Sequence, residues 1–477
     1  MNWPFCFDSF ACPEDAGVSS RGLLGFLDAW EKKRDQVQFH SLILLRHGKT
    51  VCKMNFAPYD DRTPHTLYSL SKSFTSAAAG FAVSEGKIRW DSSVADILPE
   101  EIPAGREAEL RPITLQALLC MGSGLAPESD SPSPDPAVTW ARHTLSFPVL
   151  YPPMTHFHYN SFGTYLASCM IQKATGQTVR DYLMPRLFAP LGIEKPDWDL
   201  SPQGICCGGF GLHLSSDSIA RFGQCLLQKG VWQGEQILPE GWVEFATREH
   251  IANYDGQRQD GNEWGQGYGL QFWRCMGGRY RGDGMYGQCC FVDERTDTVV
   301  AATCGCNDMG AEFALIREHL FAAVDAPKGS PADQAALREK IAVLAYPFPA
   351  DDGSDVPLPQ GEYRLQDGGA SYAVTLKKVL LDQIEIRLRW DGAQETAFTL
   401  PRGRAGLVNV FHWNGVEFRA FGCYGWEKGK LNVTVRCPAA PDTLDGVFSW
   451  TENELIFDGL GVAFPTGHVV FTRQDQA

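Results

Sequence analysis

The spacing of apolar and polar positions changes character three times along this chain. The first clear segment, "FHSLILLRHGKTVCKM" (Phe39 to Met54), is an apolar run, a His-Gly-Lys turn and a second short run, the signature of a β-hairpin. In "LSKSFTSAAAGFAVSEG", Phe74, Ala77, Ala78 and Phe81 recur at helical spacing and Gly86 ends the pattern. "DSIARFGQCLLQKG" (Asp217 to Gly230) predicts a further helix, capped by Asp217, with Ile219, Phe222 and Leu226 on its buried face. Strand signals return at "GYGLQFWRC" and at "QCCFVDERTDTVVAATCG", the latter as two strands joined by the polar turn "DERTD". "AEFALIREHLFAAV" then reads as a closing amphipathic helix. A hairpin, a mostly helical middle, strands and a final helix predict an α+β domain whose first and last strands share one antiparallel sheet.

The texture then breaks. "DAPKGSPADQ" and "YPFPADDGSDVPLPQG" are rich in Pro, Gly and Asp and flank a short helical piece, as in a linker. Beyond it, "QIEIRLRWDG" sets Ile384, Ile386, Leu388 and Trp390 against Glu385, Arg387 and Arg389. "WNGVEFRAFG" holds an Asn-Gly turn, "EKGKLNVTVRC" another hairpin turn, and "FSWTENELIFDG" a further strand pair. Short alternating strands with frequent turn signals predict an all-β barrel or sandwich. The expected organisation is a catalytic-type domain over residues 1–325, a linker with a short helix over 326–356, and the β domain over 357–477.

Composition narrows the function classes. The chain has 477 residues, 44% of them hydrophobic and 21% charged, the balance of a water-soluble protein with a sizeable core. A formal net charge of −15 and the lack of a basic run argue against a nucleic-acid or anionic-membrane partner, since both need a positive footprint. The N-terminal stretch lacks the basic and apolar regions of a secretory signal, and no apolar run is long enough to span a bilayer, so a cytoplasmic setting is expected. The 15 cysteines form no framework and are expected to be reduced thiols. His156 and His158 in "HFH" could chelate a metal from a strand, but no further ligand stands at a typical spacing, so neither metal nor cofactor is expected. There is no Gly-x-Ser-x-Gly elbow, no Walker-type phosphate loop and no dinucleotide glycine fingerprint.

What remains is "LYSLSKSFTS", in which Ser69 precedes Lys72 by three residues at the start of a predicted helix. There a serine's backbone N–H is free of intrahelical bonding, and a lysine three residues on lies over the same face. A lysine can act as a base only if burial or neighbours lower its pKa. Taken alone, the tetrapeptide equally describes a capping serine and a solvated lysine, and the chain holds a second copy, Ser84 to Lys87 in "SEGK", whose Gly86 suggests a turn.

The neighbouring segments resolve the choice. "SLILLRHGKTV", "YSLSKSFTS", "GKIRWDSSVADILPE", "ITLQALLCMGSGL", "FHYNSFGTYLASCMIQKATG", "LFAPLGI", "GGFGLHLSSDSIARFG" and "GDGMYGQCCFVDERTDTVV" arrive in the order found in serine β-lactamase-like hydrolases. Over roughly Gly22 to Val324 the chain resembles that family: class C β-lactamases, their esterase relatives, D-aminopeptidases and nylon-oligomer hydrolases. The resemblance implies a β-lactamase/transpeptidase-like fold and assigns Ser69 as the acylated nucleophile, with Lys72 and Tyr159 as proton-transfer groups. It assigns the backbone N–H groups of Ser69 and Met285, which follows Gly284, to an oxyanion hole. Gln288, after the glycine pair, could orient substrate or serve packing. Two departures stand out. The family's Tyr-x-Asn has Ser161 in its third position, and its Lys-Thr-Gly or His-x-Gly strand motif is Gly282-Asp283-Gly284. Loss of the cation that would hold a substrate carboxylate, and gain of Asp283, point away from an efficient β-lactamase, and the Gly284-to-Gln288 segment resembles the esterase and nylon-oligomer branch. The expected substrate is a small ester, amide or short peptide. The alternatives are a D-amino-acid peptidase of penicillin-binding type and a non-catalytic binding protein on the same fold, with the β domain as its recognition surface.

Overall fold

The computed structural model describes residues 7–258, 260–367, 370–390, 394–403, 406–413, 416–462 and 467–474. The elements that build the site are helix α1 (Ser20–Glu31), strands β1 (Val37–Arg46) and β2 (Lys49–Asn55), and helices α2 (Ser71–Ser84), α3 (Ser161–Thr175) and α4 (Ser216–Leu227). They continue with strands β3 (Trp273–Arg274), β4 (Tyr280–Gly284), β5 (Gln288–Asp293) and β6 (Thr298–Cys306), and helices α5 (Met309–Leu315) and α6 (Pro331–Ala342). The strands form one sheet in the order β2-β1-β6-β5-β4-β3, antiparallel throughout. The first hairpin therefore lies beside the last strand, as the expected α+β topology requires.

The hairpin closes on His47 (φ 51°) and Gly48 (φ 70°), the pair of left-handed residues that a two-residue turn needs to match strand twist. All ten residues of β1 are buried. Ile43 and Leu45 pack with Phe74 and Ala77 of α2, while Phe39, Leu42 and Leu44 pack with Leu23, Phe26 and Leu27 of α1. Helices on both faces explain why β1 reads as a continuous apolar run rather than as an alternation.

Helix α2 is buried all round: every residue from Ser71 to Ala82 is buried. Its small residues allow neighbours close in, and an added Cβ at Gly80 would meet the Trp242 ring at 2.6 Å. The buried hydroxyls find backbone partners, Ser73 Oγ donating to Gln271 O at 2.9 Å and Thr75 Oγ1 to Gly208 O at 2.8 Å. The helix gives way at Glu85 and Gly86 (φ 69°), where the second Ser-x-x-Lys copy lies with both Ser84 and Lys87 exposed.

Three local expectations need correction. Helix α4 is capped by Ser215, which accepts from Ser218 N at 3.2 Å, while Asp217 instead pairs with Arg221 at 2.5 Å and Lys53 at 3.1 Å. Of "GYGLQFWRC", only Trp273 and Arg274 join the sheet. The rest folds back as a loop: Gly269 lies where a Cβ would sit 2.2 Å from Ala246 O, and Gln271 takes a left-handed φ of 67°. The linker segment is also more than a spacer, because α6 packs on α1 through buried Leu337 and through Lys340 Nζ, 2.6 Å from Asp28 and 3.2 Å from Glu31.

Among the described residues, the C-terminal part forms a ten-stranded antiparallel sheet from Tyr363 to Arg473, curled so that it nearly closes as a barrel. Ile384, Ile386 and Leu388 point inward as the alternation predicts. The expected Asn414-Gly415 turn lies outside the described residues. Among the described residues no helix is long and apolar enough to cross a membrane.

Candidate active site

Ser69 sits in a short 3-10 turn, Tyr68–Leu70, immediately ahead of α2 rather than within its first turn. Tyr68 adopts a left-handed φ of 46°, an uncommon conformation for a bulky residue. The strand leading in is pinned from both sides: Thr66 N donates to Ala439 O at 2.8 Å and Leu67 N to Leu212 O at 2.8 Å. Ser71 clamps the turn, its Oγ donating to Tyr68 O at 2.6 Å and accepting from Leu212 N at 3.0 Å. Ser69 remains partly exposed.

Gly284, at the end of β4, lies against this turn. A Cβ there would stand 2.0 Å from Leu67 O and 3.0 Å from Ser69 N. This contact brings the following residue, Met285, beside Ser69, the arrangement in which two backbone N–H groups can face one oxygen. Gly282 tells a different story from the sequence. Its missing side chain would point at Ser73 Oγ (2.5 Å) and Leu70 Cδ1 (2.6 Å), so α2 packs against the strand where the family's cation would stand.

Lys72 is 1% exposed. Its Nζ donates to Ser69 Oγ at 2.9 Å, Ser161 Oγ at 3.0 Å and Gly209 O at 2.7 Å. Burial draws its pKa down to about 7, against the opposing pull of Asp130 and Asp283. The Tyr159 ring lies 4.7 Å from the same amine. Burial, then the charge of Asp283, pushes the Tyr159 phenol well above its ordinary range, so it is a neutral O–H at neutral pH. Tyr159 is backed by Trp273, stacked at 5.6 Å with planes 12° apart.

Helix α3 positions Ser161. Asn160, between the tyrosine and Ser161, caps α3 by accepting from Gly163 N at 2.6 Å and donates to Ser129 Oγ at 2.7 Å. Asp130 accepts from Ser161 N at 2.7 Å and Phe162 N at 3.0 Å. Asp283, expected to charge the cleft, is held by Arg281 Nε at 2.7 Å and Trp273 Nε1 at 3.0 Å. Much of its charge is thus offset inside the protein.

The structure brings Ser69, Lys72, Tyr159, Ser161 and Gly284 together, with Met285 beside them and 56% exposed. Gln288 is the exception. It is fully buried, donating to Cys304 O (2.8 Å) and Met285 O (3.2 Å) and accepting from Cys304 N (3.2 Å). It braces the turn that carries Met285 rather than reaching the cleft. Trp264 packs on Phe313 and the Arg281 guanidinium in the core. His156 is exposed and stacked on Tyr151, and the metal-spaced side chains among the described residues do not include it or His158.

Sequence reasoning missed Gly209, Asp130 and Asp442. The paired glycines of "GGFG" were a usable signal, since a Cβ at Gly209 would lie 2.5 Å from Ser161 O. Asp442 had none. It closes the turn after strand Lys430–Arg436 of the barrel, which also supplies Ala439 O to Thr66. Its charge is felt by Tyr68 and Tyr286, whose rings meet edge to face at 5.4 Å beside the nucleophile turn. Burial pushes the Asp442 carboxyl from 3.8 up to about 6. A carboxyl raised on folding stabilises below its unfolded pKa and loses that contribution as pH rises through the folded one. Asp442→Asn is therefore expected to melt like wild type below pH 3.8, increasingly higher than wild type between pH 3.8 and about 6, and by a constant margin above that. A melting-temperature difference independent of pH would contradict this.

The Beta-lactamase family model matches residues 27–324. The 6-aminohexanoate-dimer hydrolase of Paenarthrobacter ureafaciens is 25% identical over 316 residues, which is 61% of this chain and 78% of that protein. Among solved structures, EstCE1, a hydrolase with promiscuous acyltransferase activity, superposes with a TM-score of 0.53 at 17% identity, covering 64% of this chain and 99% of that one. A penicillin-binding protein homologue from Caulobacter crescentus gives a TM-score of 0.50 at 18% identity, covering 64% of this chain and 99% of that one. With the matched region spanning the sheet, the nucleophile turn and the Lys72 network, the chain belongs to the beta-lactamase family of serine hydrolases.

Proposed function

We propose that the protein cleaves a small ester or amide through an acyl-enzyme on Ser69. One observation carries the reading: a buried lysine, brought by burial to a pKa of about 7, with its amine 2.9 Å from Ser69 Oγ and no carboxylate ion-paired to it among the described residues. Neutral Lys72 takes the Ser69 proton as Oγ bonds the acyl carbon. The oxyanion falls to the N–H groups of Ser69 and Met285. Tyr159, neutral and lying against the Lys72 amine, gives its proton to the departing oxygen or nitrogen and recovers one from the Lys72 ammonium. Water then enters by the reverse relay and releases the acid, leaving Ser69 and Lys72 as they began. Ser161 serves this cycle as a partner of Lys72 rather than as a substrate amide-binding group.

The substrate class follows from Gly282 and Asp283. With α2 packed against Gly282 and Asp283 neutralised by Arg281, the strand offers no cation to a substrate carboxylate. This favours an uncharged acyl group and disfavours β-lactams and free D-peptides. The named activity of the Paenarthrobacter relative, on a dimer of an amino acid, supports a linear amide as one candidate.

A fluorophosphonate probe should label the wild-type protein at one residue, and a peptide map should place the label on Ser69. Absence of labelling, or equal labelling of Ser69→Ala, would overturn the reading and return the non-catalytic alternative. Stable acylation by penicillin in preference to an ester panel would favour the peptidase alternative.

A further inference from the structure

Behind the oxyanion turn lies a cluster that the hydrolase chemistry does not use. Cys289 stands on β5, opposite Ala302. Cys304 and Cys306, two residues apart on β6, share one face of the sheet with it. Helix α5 crosses that face and lowers Glu312 onto the three sulfurs. All four are at most 1% exposed. Glu312 Oε1 is 3.9 Å from Cys289 Sγ, Glu312 Oε2 is 3.9 Å from Cys306 Sγ, and donor atoms of Cys304, Cys306 and Glu312 lie within 4.8 Å of one another.

The carboxyl is the informative member. Its protein partners are two thiols at long range, where a fully buried carboxyl ordinarily takes several strong donors. A neighbouring backbone is also shaped to it: a Cβ at Gly287 would stand 2.3 Å from Glu312 Oε2. We infer that Cys289, Cys304, Cys306 and Glu312 form a structural site for one thiophilic d10 cation, zinc, bound as a closed tetrahedron.

Three thiolates and a carboxylate are a soft donor set with no open position, which selects zinc over calcium or magnesium and supplies structure rather than a metal-bound water. Tetrahedral zinc spaces its donors by about 3.5 Å, so Cys304, Cys306 and Glu312 need to close by about 1 Å, and Cys289, which touches Glu312 but lies outside their 4.8 Å group, needs to turn further inward. Burial pushes Glu312 and the thiols of Cys289 and Cys304 well above their ordinary ranges, so these groups start protonated. Binding then exchanges the ligands' protons for one Zn2+ and leaves a 2− unit near the buried Arg281 guanidinium, which favours the charged forms of Glu312 and Cys289. The consequence reaches the catalytic side. Gly287 rests on Glu312 and donates from its N–H to Gly284 O at 3.1 Å, closing the turn that presents Met285.

The test uses the full chain, produced with zinc in the medium and purified under reducing, chelator-free conditions. Metal analysis is expected to find about one zinc per chain in wild type and about a tenth of that or less in Cys306→Ser. Wild type unfolded, stripped and refolded with Co2+ is expected to show thiolate-to-cobalt charge transfer. Should Cys306→Ser not fold, Glu312→Gln keeps all three sulfurs and the volume. It is expected to retain the charge-transfer band, shift the d–d bands and bind zinc at least about tenfold more weakly. Wild-type zinc content no higher than that of Cys306→Ser, absence of a cobalt–thiolate band, or a disulfide among these cysteines in the purified protein would each overturn the site.

Discussion

Replacing Lys72 with methionine is expected to lower kcat/KM for an activated ester by about 10³-fold or more while leaving the fold in place. The loss follows from geometry, because Nζ is the basic atom bonded to Ser69 Oγ, and Tyr159, held neutral, cannot replace it. The fold survives because methionine matches the stem, and losing a buried amine removes its desolvation cost. That gain offsets the Gly209 carbonyl's lost donor, a cost of about 1–3 kcal/mol. The melting temperature should therefore stay close to wild type while labelling of Ser69 by a fluorophosphonate nearly ceases. The wild-type pH profile carries the same signature. Protonated lysine cannot accept the Ser69 proton, so kcat/KM should rise with pH through a midpoint of about 7 and level off above it. A Lys72→Met enzyme within tenfold of wild type, or a wild-type profile flat from pH 6 to 8, would remove Lys72 as the base.

Gly284→Ala should be nearly as damaging, by another route. The added methyl would overlap Leu67 O at 2.0 Å and crowd Ser69 N at 3.0 Å, and both atoms are backbone and cannot rotate aside. Either β4 or the nucleophile turn must shift, which separates the N–H groups of Ser69 and Met285. The expected result is a fall in kcat of about 10²-fold with KM little changed, together with a stability loss of about 1–3 kcal/mol. Steady-state kinetics beside a denaturant melt separates the two effects. Unchanged kcat in a destabilised but folded enzyme would show that Gly284 serves packing alone.

The proposed catalytic residues were legible because each sits in a short segment of recognisable order. Ser69 and Lys72 stand three residues apart across the junction of the 3-10 turn and α2, and Tyr159 precedes the start of α3. The duplicate at Ser84 and Lys87 failed for the reason visible in its own sequence, a glycine that ends the helix and leaves both side chains in water. Gln288 was misjudged because a polar residue beside two glycines reads as a cleft residue, whereas β5 carries it under the strand to bond Cys304 and Met285. The charge of Asp283 is met by Arg281, two residues back on the same face of β4, and by Trp273, which becomes a partner only when β3 and β4 pair.

The division between what sequence and tertiary structure decide follows the range of the forces. Periodicity, caps and turns act over a few residues, so the hairpin at His47-Gly48, the helix after Ser69 and the alternation along 383–390 could be read from the chain directly. The state of Lys72 could not. Its amine is bonded across 137 residues to Gly209 and across 89 to Ser161, and its lowered pKa comes from burial that no local pattern encodes. The same holds for Asp442, which the barrel brings beside Tyr68, and for the three cysteines that meet Glu312 behind Gly287. Sequence alone determined which groups could do chemistry. Long-range packing, by removing water and fixing neighbours, decided their protonation, their partners and which of them reach the cleft.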